Sequence, residues 1–381
     1  MKLLRNFTAV FFILFLIGVI AAFILIPDKA YSSTEKRNLS QLPSVSLESI
    51  TDGSFMDAIE DYTADQFPLR DTLMKMKTGL LRAFGKNESQ GVYIGKNDTL
   101  MERFDAPQDE ETSSLAAAVN AFADRYPDTP MYFLLAPNAI SVYSDLAPAN
   151  ALTDDQDIYI ETLYSRLSGH VTGINVAQAM WAEKDNTLLY YRTDHHWTTD
   201  GAYVAFRSAA GALGLKNLPD FNTYVVSNAF TGSLVSESGF SVSVPDAVKV
   251  AFEDTTDGHA ETVYTVTYPT ENKRTATCYS TEALVGDDPY EVFFGGNYPL
   301  LHIETSANSD RSLLIIKDSY ANSFIPFLIP EFKKITVLDP RYYYEDIDAL
   351  MGSGYTDVLF LYNVNTLSED SNLATVLNNE Q

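Results

Sequence analysis

The chain has 381 residues, room for one large domain or two ordinary ones, and with 46% apolar and 20% charged residues it has the balance of a globular protein. A formal net charge of −25 argues against nucleic acid or an anionic lipid surface as a partner, since both would repel it. The single cysteine, Cys278, excludes an intramolecular disulfide and any cysteine-rich zinc site, so the fold must stand on its core.

The N-terminus, "MKLLRNF", is basic, and Thr8 to Ile26 carries no charge. As a helix that run is long enough to cross a hydrocarbon core of roughly 30 Å. The following "PDKAYSS" is a poor cleavage site, so residues 1–26 read as an uncleaved transmembrane anchor rather than a signal peptide. Lys2 and Arg5 keep the N-terminus cytoplasmic and leave the acidic body outside the cell membrane. Lack of disulfides is no objection there in a bacterial protein. Residues 27–43 are polar and read as a linker. Residues 44–90 form a helical lead-in: Phe55, Ile59 and Tyr62, then Leu73, Met76, Leu80 and Leu81, recur at helical spacing on either side of "DQFPLRD". Gly91 to Glu102 alternates around Lys96-Asn97-Asp98 and predicts a hairpin.

From there to residue 381 strands and helices alternate. "SSLAAAVNAFADRYP" predicts a helix and "MYFLLAP" a buried parallel strand. "DIYIETLYSRLSG" is helical, "GINVAQAMWAEK" contains a strand and turn, and "LLYYRTDHHW" reads as another strand. "DGAYVAFRSAAGALGL" is a helix capped by Thr198 or Thr199. Residues 221–306, rich in β-branched and aromatic residues, read as a β-rich insertion. "RSLLIIKDSYANSFIPFLI" is strand then helix, and "KKITVLDP" and "TDVLFLYNV" are buried strands. The order predicts a three-layer α/β domain with a mainly parallel sheet. The 23 tyrosines suit sugar contact, though core and interface use explains them as well.

Catalytic groups in such sheets gather beyond the C-terminal strand ends, and three polar clusters fall there. Asp194, His195 and His196 follow "LLYYRT", Asp318 and Ser319 follow "LLIIK", and Asn363 and Asn365 follow "VLFLY". In an extended segment Asp194 and His196 share a face while His195 points the other way. A carboxylate beside an imidazole is the orienting half of a Ser-His-Asp triad; alone, it reads equally well as a strand-end cap with a locally bonded histidine. Ser319 sits at a strand-to-helix turn that exposes a nucleophile and aims a helix N-terminus at it, or else is an ordinary helix cap. A metal site is disfavoured because adjacent histidines on a strand diverge, and His170, His259 and His302 come with no ligand motif.

Here the residues match a known pattern. "TDHHWTTDGAY", with "EKRNLSQLP", "DQFPLRD", "GVYIGKNDTLM", "APNAISVYSDLAP" and "IKDSYANSF" in that order, resembles the DHHW family. That family is similar to the SGNH-hydrolase-like domains of alginate O-acetyltransferases and related cell-wall polysaccharide acetylation proteins. The resemblance implies an SGNH-hydrolase-like fold with Asp194, His196 and Ser319 as the triad. It also implies O-acetylation of a cell-surface polysaccharide without a cofactor, the acetyl group coming from a multi-spanning membrane acyltransferase. Backbone N–H groups near Ser319 and Tyr320, with Asn322 or Asn363, would hold the oxyanion; His195 would support the site and Trp197 would pack at the turn. A carbohydrate acetyl esterase using the same triad, and a non-catalytic cell-wall polysaccharide-binding protein, are the alternatives. Two positions depart from the pattern: Lys317 stands where a glycine is usual before the Asp-Ser pair, and Ala139 where a lysine is expected.

Overall fold

A computed structural model describes residues 2–32, 37–256, 258 and 260–379, and the chain divides into two compact units. The first comprises residues 1–89 with 235–241. Its N-terminal helix, Lys2–Leu25, carries no charge after Arg5, and the stretch Asn6–Phe23 has a mean hydropathy of 2.5, so it is long and apolar enough to span a membrane. Helices Leu47–Thr51, Ser54–Asp65 and Arg70–Ala83 follow, the last two separated at Pro68 as their spacing predicts. The polar stretch expected as a linker is tied down in its described part. Tyr31–Ser32 pairs with Arg37–Asn38, Asp65 accepts from the Ser40 N–H at 2.8 Å, and Gln66 donates to the carbonyls of Lys29 and Ser40.

The second unit, residues 90–234 and 242–381, is a mixed α/β fold around a large sheet. In chain order its sheet strands are β1 (Met131–Ala136), β2 (Val171–Ile174), β3 (Tyr264–Tyr268), β4 (Lys273–Thr275), β5 (Leu300–Thr305), β6 (Ser312–Lys317), β7 (Lys334–Leu338) and β8 (Asp357–Asn363). Among the described residues they form one eight-stranded sheet in the order β4-β3-β5-β7-β6-β8-β1-β2. The β7-β6-β8-β1-β2 pairings are parallel; those joining β5 to β7, β3 to β5 and β4 to β3 are antiparallel. Successive residues of the central strands face opposite ways, and both faces are covered. Leu313, Ile315, Leu359 and Leu361 join one apolar cluster with Trp197, Phe206 and Phe327; Leu314, Ile316, Val358 and Phe360 join another with Val119, Phe122 and Leu163. This is why the strands read as unbroken apolar runs rather than alternating ones. The hairpin appears as Val92–Ile94 against Leu100–Glu102.

Three expectations change. The β-rich segment is no separate insertion: Phe221–Phe230 and Asp246–Glu253 make their own antiparallel ribbon, but β3, β4 and β5 extend the main sheet. A short alternating strand reads the same whether it starts a new sheet or adds to an existing one. Residues 188–197 are not a strand; they form a loop closed by a single antiparallel bridge between Tyr190 and Trp197. The helix after Ser319 is one turn, Ala321–Phe324, running into a 3₁₀ segment, Ile325–Glu331, where Pro326 and Pro330 lack the N–H donors an α-helix needs. Little helix dipole therefore reaches Ser319.

Phe360 stacks on Phe133 (centroids 5.4 Å, 18° between planes) and meets Phe122 edge-on at 6.2 Å. Phe360→Ala should lower unfolding free energy by about 3–5 kcal/mol. Urea titrations check this, and a loss under about 1 kcal/mol would mean that the strand centre carries little of the core.

Candidate active site

The loop that replaces the expected strand doubles back on itself. The Tyr191 N–H reaches the His196 carbonyl at 3.2 Å and the Thr198 N–H the Leu189 carbonyl at 2.8 Å, which holds residues 192–195 at a tip. Thr198 caps the following helix, Thr199–Ala209, by accepting from the Gly201 N–H. The tip is braced from the ribbon: the buried Asp246 carboxylate accepts from the N–H and hydroxyl of Thr193, and that hydroxyl accepts from the Gly232 N–H. Asp194 and His196 are thereby fixed in a buried setting, at 2% and 6% exposure.

Asp194 is fully partnered. Its Oδ1 accepts from the His196 N–H at 3.0 Å and faces His196 Nδ1 at 2.6 Å, and its Oδ2 accepts from the Ser233 N–H at 2.9 Å. Burial opposes ionisation, but His195 and His196 with these hydrogen bonds outweigh it and hold the carboxyl well below the usual range. An ionised carboxylate only accepts, so Nδ1 of His196 carries the proton and the Nε2 lone pair faces Ser319 Oγ, 2.8 Å away. Gly232 makes room for this: a Cβ there would lie 2.2 Å from the Cβ of Asp194.

Ser319 lies in the turn after β6, partly exposed between the fully buried Asp318 and Tyr320. Asp318 Oδ1 accepts from the Tyr320 N–H at 2.9 Å and its Oδ2 from the Asn363 N–H at 2.8 Å. Trp197 Nε1 donates to the Tyr320 carbonyl at 2.9 Å and to Ser323 Oγ at 3.0 Å, so the Trp of the histidine loop binds the serine turn directly. The Tyr320 hydroxyl returns a bond to the His195 carbonyl.

Several expected site residues fare differently. Asp194, His196 and Ser319 come together in one hydrogen-bonded row. His195 does not diverge from His196: their rings lie 3.9 Å apart, and His195 Nδ1 meets Ser233 Oγ at 2.8 Å. Divergence is therefore no argument against a metal. The ligand atoms of Asp194, His195 and His196 lie within 4.8 Å of one another, but His195 Nδ1 is engaged with Ser233 and both ring nitrogens of His196 with Asp194 and Ser319. The Tyr320 N–H is bonded to Asp318, whereas the Ser319 N–H makes no hydrogen bond among the described residues. Asn363 caps the next turn, accepting from the Asn365 N–H and donating to the Ala136 carbonyl, so those bonds turn its amide away from an oxyanion role. Asn322 donates to Asn297 Oδ1 at 3.0 Å, and the buried Lys317 ammonium donates to the same oxygen at 2.8 Å. Burial pulls Lys317 below its usual value, while Asp339, at 3.2 Å and also gripped by Arg341, works against that. His170 faces Asp124, His302 meets Thr336, and His259 lies outside the described residues.

Tyr290 was missed. Its ring stacks on His196 with centroids 3.8 Å apart and 15° between planes, and its hydroxyl donates to the Ser319 carbonyl at 3.0 Å. Burial pushes its phenol well above the usual value and keeps that donor protonated. One side chain thus braces both the His196 ring and the Ser319 turn. It sits in the segment read as a β-rich insertion, with no spacing that ties it to either partner.

The depressed Asp194 carboxyl fixes a pH dependence. Its ionised form contributes stability above the unfolded value of about 3.9, and that contribution is lost as pH falls toward the lower folded value. The stability gap between wild type and Asp194→Asn should therefore be widest at neutral pH and narrow below about pH 4. Urea titrations across that range test it, and a gap constant with pH would refute the assignment.

A model of the DHHW protein family matches residues 108–338, a span that contains Asp194, His196 and Ser319. No curated protein sequence matches the chain. Among solved structures, a DHHW family protein from Eubacterium siraeum is 23% identical with a TM-score of 0.62, over 77% of this chain and 96% of its own. Bacillus cereus PatB1, solved with a sulfonyl adduct, is 21% identical with a TM-score of 0.61, over 75% of this chain and 97% of its own. The O-acetyltransferase domain of Pseudomonas putida AlgJ is 16% identical with a TM-score of 0.46, over 76% and 99% respectively. The first two share this chain's fold, and with more than half of its length matched by the family model, the chain belongs to the DHHW family.

Proposed function

We propose that the protein is an acyltransferase that O-acetylates a cell-surface polysaccharide outside the membrane. One observation carries the reading: the unbroken row Asp194 Oδ1, His196 Nδ1, His196 Nε2, Ser319 Oγ, with spacings of 2.6 and 2.8 Å. In the proposed reaction Ser319 Oγ gives its proton to His196 Nε2 and attacks the acetyl carbonyl carbon of a donor. The tetrahedral oxyanion is held by the Ser319 N–H. Its collapse breaks the bond to the donor, whose leaving group takes the proton from His196. A sugar hydroxyl, deprotonated by the same nitrogen, then attacks the acetyl-enzyme and regenerates Ser319. Asp194 stabilises the imidazolium in both halves.

The anchor reading of Lys2–Leu25, with Lys2 and Arg5 cytoplasmic, supports an extracytoplasmic body. A membrane-embedded acyltransferase would then have to deliver the acetyl group. An SGNH-hydrolase-like ancestry fits the turn after β6, although Lys317 replaces the usual glycine. Hydrolysis by the same triad differs only in water taking the place of the sugar.

Full-length protein in detergent should release the chromophore from 4-nitrophenyl acetate and carry one acetyl group on the peptide containing Ser319. Ser319→Ala should abolish both, and Asp194→Asn should lower kcat by about 10⁴. Acetyl transferred to an added oligosaccharide marks a transferase; free acetate alone marks an esterase. Full activity in Ser319→Ala would remove Ser319 as the nucleophile.

A further inference from the structure

Trp181 is one of two tryptophans in the chain. Trp197 is buried against the nucleophile turn, whereas Trp181 is 61% exposed, on the short helix Ala177–Glu183 just after β2. An indole left in water at that level is uncommon, and here it lines a groove of about 650 Å³ with Ser141, Asp157, Glu161, Asn175 and Gln178. The polar groups are partly ordered: Asn175 Nδ2 donates to Glu161 Oε1 at 2.9 Å, and Asn175 Oδ1 accepts from the Ala177 N–H at 2.9 Å. Lys184 Nζ lies 5.4 Å from the indole centroid. Burial above all, then the neighbouring Asp155 and Glu161, raises the Asp157 carboxyl.

The sheet fixes where this groove lies. Lys317 of β6 pairs with Leu361 of β8, Leu361 with Leu134 of β1, and Leu134 with Ile174 of β2. These four residues form one row across parallel strands, so Ser319 and Asn175 leave the sheet at the same edge. Three strand spacings separate β6 from β2, which at about 4.8 Å each is roughly 14 Å. An extended glycan crosses such a span in a few sugar residues.

We propose that the Trp181 groove is a distal sugar-binding subsite, holding a neighbouring unit of the polysaccharide whose hydroxyl is presented at Ser319. This deepens the acyltransferase reading and rests on it. The indole gives the apolar face of a pyranose ring a flat platform, and Asn175, Gln178, Asp157 and Glu161 offer partners to its hydroxyls. Two carboxylates in the groove of a strongly acidic chain select against uronate polymers. The substrate is a neutral or amino-bearing glycan several units long.

Binding can be read without turnover in full-length Ser319→Ala protein. Cello-oligosaccharides or N-acetylglucosamine oligomers should quench tryptophan emission, oligogalacturonates of equal length should not, and Trp181→Ala should remove the response. In turnover, Trp181→Ala should raise KM for long acceptors about tenfold, with kcat held and single-sugar acceptors unaffected. Trp181→Tyr, which keeps a flat ring, should restore most of the affinity. Unchanged KM for long acceptors in Trp181→Ala, a loss in kcat rather than KM, or preferential binding of the uronates would overturn the subsite. Failure of wild type to form any acetyl-enzyme would instead strike the role of Ser319, and the binding measurement would stand apart from it.

Discussion

A carboxylate that stays charged out of water must have its oxygens satisfied, and the buried Asp194 imposes that demand on everything around it. Its oxygens receive three N–H groups from two chain segments, the histidine loop and the Gly232-Ser233 turn. The turn can come that close only because residue 232 has no side chain. The loop can present its own amide and imidazole together only because it is not extended. Once the carboxylate is satisfied in this way, the tautomer of His196 is no longer free to vary. The direction of proton flow at Ser319 follows from that. Backbone conformation, one glycine and one tautomer are thus consequences of a single buried charge.

The Ser319 turn is held by groups from other elements rather than by its own helix. Trp197 ties it to the histidine loop, Tyr290 reaches it from the β-rich segment, and Asp318 binds it to the end of β8. One helical turn could not supply such order, since most helical stability comes from packing over greater lengths. Beneath it, the buried Lys317 and Asp339 form an ion pair that the half-buried Arg341 joins. A buried cation there needs its partners in place, because one left alone would be far costlier than the pair. Asn297 connects that group to Asn322, one turn beyond the serine.

Much of this could be read from the sequence, and the failures have physical causes. Unbroken apolar runs such as "SLLIIK" and "DVLFLYN" gave their parallel strands because burial on both faces leaves no other composition. His196 was picked over His195 by strand parity, yet the segment is not a strand. The loop instead brings both rings together, and it is Nδ1 of His196 that faces Asp194. Tyr290 and Gly232 were invisible because their roles depend on contacts between segments far apart in the chain. The oxyanion expectations meet hydrogen-bond accounting that the sequence does not reveal: the Tyr320 N–H, next to the serine, donates to Asp318, and the Asn363 amide, far along the chain, donates to the Ala136 carbonyl.

The antiparallel strands β5, β3 and β4 have a bearing on how the α/β unit could be trimmed. They come from the stretch whose composition looks most like a dispensable appendage, yet β5 pairs with β7 along five residues, from Leu300 with Leu338 to Glu304 with Lys334. Without that partner, β7 would present a row of bare amide and carbonyl groups backed by an apolar core, a template for joining another molecule edge to edge. The segment acts as a selvedge, the woven border that stops a fabric from unravelling. A shortened protein that lacked it would aggregate while still holding Asp194, His196 and Ser319.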